Sequence, residues 1–343
     1  MKNGFINYLK KVRYHIWYYN RHTKRFRKLG LPSLSKEEKK QIRKTWPGIT
    51  FMPMDWIAAQ AYKKVNGFSP YYLAPCWYNE IRERMNPKDQ LYALENKALL
   101  DVYFPEISFP KPLVRGICGF YFDQDMNFIS RSQAKSILTE VSEFVIKPSI
   151  GTNQGAGVKK ISIINEADAE KVINEAGRNF IAQEVLKQAQ EIELFNASSL
   201  NCFRVTTIYL EGRFDFVTAL KIGKKGAFRD NWNSGYWVKV DKNGVLAEFG
   251  YDWTLSKVDK SDSDIPFKGK QMPCFKEMIS HLEAMHKKIF PNCGVLGWDV
   301  TIDSNYKVRV IETNLWNPGT NIEQFVRGDF FKPFHDEMLN FIK

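Results

Sequence analysis

An α+β fold in two lobes is predicted by three features of the chain. Short β-prone runs recur from about residue 112 onward, separated by tight-turn signals. Helical segments are interspersed among them, without the regular strand–helix alternation of a doubly wound parallel sheet. Two pairs of runs are joined through Glu211-Gly212 and Ser304-Asn305, which makes each pair an antiparallel hairpin.

The elements follow in order. Residues 1–48 read as a basic amphipathic helical segment, in which Phe5, Leu9, Val12 and Ile16 share one face at helical spacing. Tyr8, Trp17, Tyr18 and Tyr19 add aromatic bulk. Ser35 and Glu38 form an S-x-x-E capping box for a helix that ends near Trp46, before Pro47. Residues 49–130 form a second unit, helical and irregular to about residue 95, with Pro53, Pro70, Pro75 and Pro87 as breaks. Later, "LVRGICGFYFD" and "FVIKP" read as strands, with a helix opened by Ser132 between them. Residues 131–186 make a small lobe with a glycine-rich loop, "VKKISII", a helix from Asn165 and "NFIAQEVL". Residues 187–343 make a large lobe: "CFRVTTIYL", "RFDFVTALKI", a helix over 275–290, "VLGWDVTID", "KVRVIETN" and a last helix over 329–342. That last helix sets Phe331, Phe334, Met338 and Phe341 on one face.

Charge is unevenly placed. Of 50 basic and 38 acidic residues, 14 and 2 respectively lie in residues 1–50, so the body is neutral. A groove tracking nucleic-acid phosphates needs a basic stripe on the body, so nucleic acid is excluded as a partner there. The basic segment itself fits either an anionic membrane surface, touched through residues 1–30, or docking on its own protein, with RNA binding a distant third. No apolar run reaches membrane-spanning length, and the N-terminus lacks the apolar core of a secretory signal. Cys76, Cys118, Cys202, Cys274 and Cys293 are scattered without a CxxC pair, which argues for a reducing, cytoplasmic setting and against zinc.

The chemistry concentrates in the last hairpin. With a two-residue turn at Ser304-Asn305, Asp299 opposes Val310 and Glu312 opposes Gly297. Strand alternation then sets Asp299, Glu312 and Asn314 on one face, with the two acids as diagonal neighbours. A four-residue turn keeps that face; a three-residue turn does not. Two carboxylates and an amide make a hard oxygen set that suits magnesium. The alternative is that both acids cap a sheet edge or pair with Arg or Lys. A second feature is "FVIKPSIGTNQGAGVKKI", in which Gly151, Gly155 and Gly157 let backbone N–H groups approach phosphates, and Lys147 ends the incoming strand. It is neither a P-loop nor a dinucleotide fingerprint, and by itself it reads as a long hairpin loop.

In order and spacing, "FVIKPSIGTNQGAGV", "FIAQEVL", "LNCFRVTT" and "GWDVTID…VRVIETN" resemble the ATP-grasp superfamily. "SLNCFRVTT", "FRDNWNSGYWVKVDKNG" and "GWDVTI…IETN" are similar to its branch associated with sugar transfer in capsule and O-antigen clusters. The resemblance covers about residues 95–325. It implies two α+β lobes gripping ATP, preceded here by the basic helical region, with ATP and Mg2+ as cofactors. By resemblance, Lys97 and Lys147 are the two nucleotide lysines, and Ser149 through Gly151, Gly155 and Gly157 close over the phosphates. Gln183, Glu184 and Leu186 match the adenine hinge, and Glu191 the ribose position, although "LKQAQE" departs from the usual hinge. Arg204 matches the arginine facing the γ-phosphate, and Asp299, Glu312 and Asn314 match the metal ligands. Arg229 and Asp230 are candidates for positioning substrate. Judged singly, Lys97 is an exposed helix lysine, and Arg204, on a buried strand, requires a partner.

The function so implied is a carboxylate–amine ligase working through an acyl phosphate. Its partners would be a small amine and a carboxyl-bearing sugar or glycan precursor, met in the cytoplasm at the inner face of the membrane. A phosphotransferase and a non-catalytic scaffold for a glycosyltransferase complex are the alternatives.

Overall fold

Alternation of apolar and polar residues sorts the strands of this chain into two antiparallel sheets. The computed structural model describes residues 2–152, 155–162, 165–227 and 235–342, and for residues 2–7 and 22 the backbone alone. The first sheet has the order β3-β2-β1-β6-β4-β5. Its strands are β1 (Pro112–Ile117), β2 (Phe120–Phe122), β3 (Phe128–Ile129), β4 (Glu143–Pro148), β5 (Lys159–Ser162) and β6 (Phe180–Gln183). The second has the order β11-β10-β9-β8-β7-β12-β13. It comprises β7 (Cys202–Leu210), β8 (Arg213–Gly223), β9 (Gly235–Val240), β10 (Leu246–Tyr251), β11 (Lys257–Val258), β12 (Val295–Ile302) and β13 (Val308–Asn314).

The helices are α1 (Lys2–Tyr18), α2 (Lys36–Thr45), α3 (Trp56–Asn66), α4 (Pro75–Met85), the short α5 (Lys88–Leu91) and α6 (Leu100–Tyr103), and α7 (Arg131–Thr139). They continue with α8 (Glu166–Ala176), the short α9 (Gln190–Glu193), α10 (Phe275–Ile289), α11 (Asn321–Val326) and α12 (His335–Asn340). Among the described residues no helix is long and apolar enough to cross a membrane.

Most local signals act where the sequence places them. Ser35 caps α2 through the full box with Glu38, and Asn165 caps α8. Four expectations change. The helix before β4 is opened by Ser130, not Ser132, because the S-x-x-Q box with Gln133 begins there. "LVRGICGFYFD" folds back at Cys118 and Gly119, both at positive φ, into the hairpin β1–β2. The last helix breaks at Pro333 into a 3₁₀ turn and α12, since a proline mid-helix removes a donor. The six-stranded sheet takes β1–β3 from residues 112–129, so it straddles the boundary expected at 130/131.

Each sheet has one greasy face. In the six-stranded sheet Val114, Phe144, Ile146, Phe180 and Ala182 pack with Ala134, Leu138, Ala169 and Ile173 of α7 and α8. In the seven-stranded sheet Phe203, Val205, Leu220, Leu296, Trp298 and Val300 pack under α10. The opposite face of that sheet is split. Its Ile208, Leu210, Val217, Ala219, Trp237 and Val295 end is covered by the N-terminal helices. The other end carries charged side chains and meets the first sheet.

The N-terminal layer is bonded into the body. Asn86, fully buried, donates to Val295 O at 2.7 Å and Leu315 O at 2.5 Å, and accepts from Val295 N–H at 3.2 Å. Gln324 exchanges two hydrogen bonds with the Leu73 backbone, and Asn66 donates to the Gln324 and Phe325 carbonyls. The helix α1 is held by His15, 1% exposed, whose Nδ1 lies 2.8 Å from Asp55 Oδ2, with Glu80 at 3.7 Å from Nε2. Asp55 also accepts from Met52 N–H and Trp77 Nε1. Burial works against charge on His15, but its bonds to Asp55 and Glu80 outweigh that and raise its pKa to about 9.

Two outcomes are expected. Asn86→Ala leaves two buried carbonyls and one N–H without a partner and costs about 2–3 kcal/mol in urea denaturation. Because His15 is raised when folded, its contribution is complete below its unfolded pKa of about 6.5 and is lost as pH rises through about 9. Unfolding free energy of the wild type therefore falls between pH 6.5 and 9.5 by up to about 3 kcal/mol, a slope that His15→Gln removes.

Candidate active site

Two departures from the expected hairpin cancel. The Asp303 N–H bonds Lys307 O at 2.9 Å, closing a three-residue loop in which Tyr306 takes φ 58. That loop alone would turn Asp299 and Glu312 to opposite faces. A β-bulge intervenes: Val300 pairs with Val310, but Asp299 pairs with Glu312, so Ile311 is the extra residue. Asp299 therefore faces Glu312 directly, not diagonally, and Val310 turns into the core instead of opposing Asp299. The expected grouping of Asp299, Glu312 and Asn314 on one face is reached through a different register.

Across three strands this makes a charged row. Arg204 of β7 pairs with Asp299, and Asp299 with Glu312; one row further on, Thr206 pairs with Gly297, and Gly297 with Asn314. Each acid is met by cations. Asp299 lies 2.9 Å from Lys221 Nζ and 3.4 Å from Arg204 Nη1, and Glu312 lies 3.1 Å from Lys97 Nζ. Burial works to raise Asp299, yet Arg204 and Lys221 hold its carboxyl below the usual range. Both acids thus pair with Lys or Arg, as the alternative left open by the sequence has it.

The first sheet brings the second lysine. Lys147, at the end of β4, is buried and donates to Ile311 O, the bulge residue, at 3.4 Å. Burial pushes its ammonium down to about 8, with Glu312 opposing and Lys97 adding to the shift. Lys97 lies in a turn rather than a helix, and its side chain is mostly covered. Its N–H bonds Ser149 O at 2.9 Å. The Ser149 hydroxyl is buried and has no hydrogen-bond partner among the described residues.

After Ser149 the chain turns at Gly151, Gly155 and Gly157, all at positive φ. A Cβ on Gly157 would come within 2.8 Å of the Pro148 ring, whereas one on Gly151 would meet open space. Arg229 and Asp230 lie outside the described residues.

The hinge between the sheets is also tied. The Glu184 N–H bonds Lys111 O, its Oε1 accepts from Lys111 N–H, and Arg309 Nη2 reaches the same oxygen at 2.5 Å. Gln183 Nε2 donates to Pro110 O at 3.1 Å, and Leu186 is half-buried in the connecting segment. Glu191 accepts from Tyr306 at the hairpin tip, not from the charged row.

Sequence reasoning missed four residues here. Lys221 was legible: the Glu211-Gly212 turn sets it opposite Cys202, on the face of Arg204. Arg309 sits three positions before Glu312, in the same strand. Glu95, which accepts from the Leu315 and Trp316 N–H groups, and Glu323, which accepts from Thr206, gave no sequence signal. Burial raises both carboxyls; the two N–H groups oppose this at Glu95, and Arg204 opposes it at Glu323.

Both loop glycines resist substitution unequally. Gly151→Ala is expected to cost about 1–2 kcal/mol for the left-handed backbone alone. Gly157→Ala adds the Pro148 collision and costs about 2–4 kcal/mol, a difference read from paired denaturation curves.

Residues 174–336 match the family described as sugar-transfer associated ATP-grasp. No curated protein matches the chain. Among solved structures, D-alanyl-alanine synthetase A from Vibrio cholerae is similar at 12% identity and TM-score 0.44, over 72% of this chain and 65% of that one. Carboxyaminoimidazole ribonucleotide synthase from Aspergillus clavatus, complexed with ATP, gives 10% and 0.42 over 66% and 46%. D-cycloserine synthetase gives 11% and 0.42 over 76% and 74%. The chain spans less than two thirds of the length of the first two. The stretch 174–336, which carries Arg204, Asp299, Glu312 and Asn314 on the larger of two antiparallel sheets, is the part of the chain that matches the sugar-transfer associated ATP-grasp family.

Proposed function

We propose that the protein is an ATP-dependent carboxylate–amine ligase, joining an amino acid or other amine to a carboxyl-bearing sugar in surface-polysaccharide biosynthesis. One observation carries this reading. Lys97, Arg204 and Lys221 pair with two carboxylates that share one sheet face with an amide, and Lys147 reaches the carbonyl of Ile311 beside Glu312. The family match supports the sugar-linked acceptor.

The residues fit a magnesium nucleotide. Asp299, Glu312 and Asn314 supply a hard oxygen set, the unpartnered Ser149 hydroxyl is a spare polar group beside Lys97, and the glycine turns leave backbone N–H groups approachable. Magnesium, when bound, supplies Lewis-acid neutralisation of phosphate charge. The chain's own part is positional. Lys97 and Lys221 neutralise the two acids before nucleotide arrives and can turn to phosphate oxygens when it does. Lys147, held in a low-dielectric setting, is a point charge whose attraction to phosphate is little screened. Arg204 stabilises negative charge that develops on the transferring phosphoryl group. In the reaction, a substrate carboxylate oxygen takes up the terminal phosphoryl group as ADP leaves. The amine then attacks the acyl carbon, phosphate departs and a proton is released. Holding both substrates removes much of the entropic barrier.

The setting that fits this reading is the cytoplasmic face of a membrane, touched through residues 1–30.

Titration calorimetry tests the site. ATP affinity is expected to require Mg2+, and Asp299→Asn or Glu312→Gln to weaken it about tenfold or more. Absence of Mg2+-dependent binding would favour the scaffold. A screen of amino acids with uronic-acid sugar nucleotides is expected to release ADP and free phosphate only when amine and carboxylate are both present. Phosphate transferred to a single acceptor would make the protein a kinase instead.

A further inference from the structure

The inner and outer faces of α1 differ from those the sequence suggests. The helix docks through His15 and Tyr18, both buried, while Leu9 and Ile16 of the expected apolar face point outward. Tyr8, Leu9, Ile16 and Trp17 are 52%, 49%, 44% and 48% exposed. Single exposed apolar residues are ordinary on a protein surface, but four within ten positions of one helix are not. Lys10, Arg13, Arg21 and Lys24 are exposed beside them. The whole positive excess of the chain lies in this same N-terminal stretch.

We infer that α1 docks the protein on an anionic bilayer while remaining seated on its own body. Leu9, Ile16 and Trp17 enter the boundary between headgroups and acyl chains, where Trp and aliphatic side chains are favoured. The flanking Lys and Arg meet lipid phosphates, whose negative surface potential complements them. Undocking is unnecessary, because the seat uses other residues. His15 pairs with Asp55, Lys11 with Glu80 at 2.5 Å, and Tyr18 accepts from Asn321 at 3.3 Å. That last bond joins the bilayer-facing helix to α11, whose Glu323 bonds Thr206, one row from Arg204 and Asp299. The helix α11 thus contacts both α1 and the strand that carries Arg204. A membrane-borne acceptor follows only if the ligase reading holds; docking itself does not depend on it.

Sedimentation of the full chain with vesicles decides the matter. The wild type is expected to pellet with phosphatidylcholine–phosphatidylglycerol vesicles and not with phosphatidylcholine alone. A triple variant, Leu9→Glu with Ile16→Glu and Trp17→Glu, is expected to lose about tenfold or more of that binding, while its unfolding midpoint and ATP affinity stay at wild-type values. Lys10→Glu with Arg13→Glu is the second variant, should the first fail to fold, and is expected to weaken binding in a salt-dependent way. Equal pelleting by wild type and triple variant overturns the proposal, as does absence of wild-type binding to anionic vesicles. Displacement of the protein from vesicles by a single-stranded RNA oligonucleotide at lower concentration would assign the surface to nucleic acid and likewise overturn it. Lost vesicle binding with ATP binding intact leaves the ligase reading untouched, and the converse leaves docking untouched.

Discussion

Asp299 and Glu312 sit directly opposite each other on adjacent strands, a spacing of about 5 Å between Cβ atoms at which two carboxylates repel. The surrounding chain answers that repulsion with cations from four different places. Lys97 comes from a turn before the first sheet, Lys147 from that sheet's β4, Arg204 from the neighbouring strand and Lys221 from the strand beyond. Arg204, Lys221, Asp299 and Glu312 lie on adjacent strands of one sheet, whereas Lys97 and Lys147 reach Glu312 and the Ile311 carbonyl only when the rest of the chain is folded against that sheet. Their electrostatics therefore act as a clasp between the two sheets.

Continuity with the N-terminal layer extends that clasp. The segment following Asn314 is gripped from outside the two sheets: Glu95 caps Leu315 and Trp316, Asn86 holds the Leu315 carbonyl, and Arg82 bonds the Trp316 carbonyl and lies over its ring. Tyr62 and Tyr18 both contact Asn321, and Gln324 is locked to Leu73. These polar contacts are buried or partly buried, so each left unmet would carry a desolvation penalty. Side chains from this N-terminal layer thus form the wall behind β13, the strand that carries Glu312 and Asn314.

The hairpin shows how a sequence argument can reach a sound grouping through a mistaken register. Side-chain parity depends only on whether the summed shifts are even. The three-residue loop contributes one shift and the bulge at Ile311 another, so Asp299, Glu312 and Asn314 share a face as expected while Val310 does not join them. Bulges leave little trace in composition. Capping boxes do leave one, which is why Ser35 was placed correctly; Ser132 was misplaced because it is Ser130, two residues earlier, that has Gln133 at the third helical position. For α1, spacing revealed an apolar stripe but not that a histidine, carrying its charge into a buried ion pair, would be the side that docks.

Local patterning by itself determined the α+β class, the antiparallel hairpins, the caps of α2 and α8 and the glycine turns. These follow from short-range rules: alternation, capping and the backbone freedom of glycine. Tertiary structure alone decided which cation meets which acid, that Glu95 and Glu323 join the site, and that α1 turns its Trp17 side outward. Those outcomes depend on contacts between residues far apart in the chain, where the cost of burying a charge is settled by whatever partner the fold happens to bring within reach.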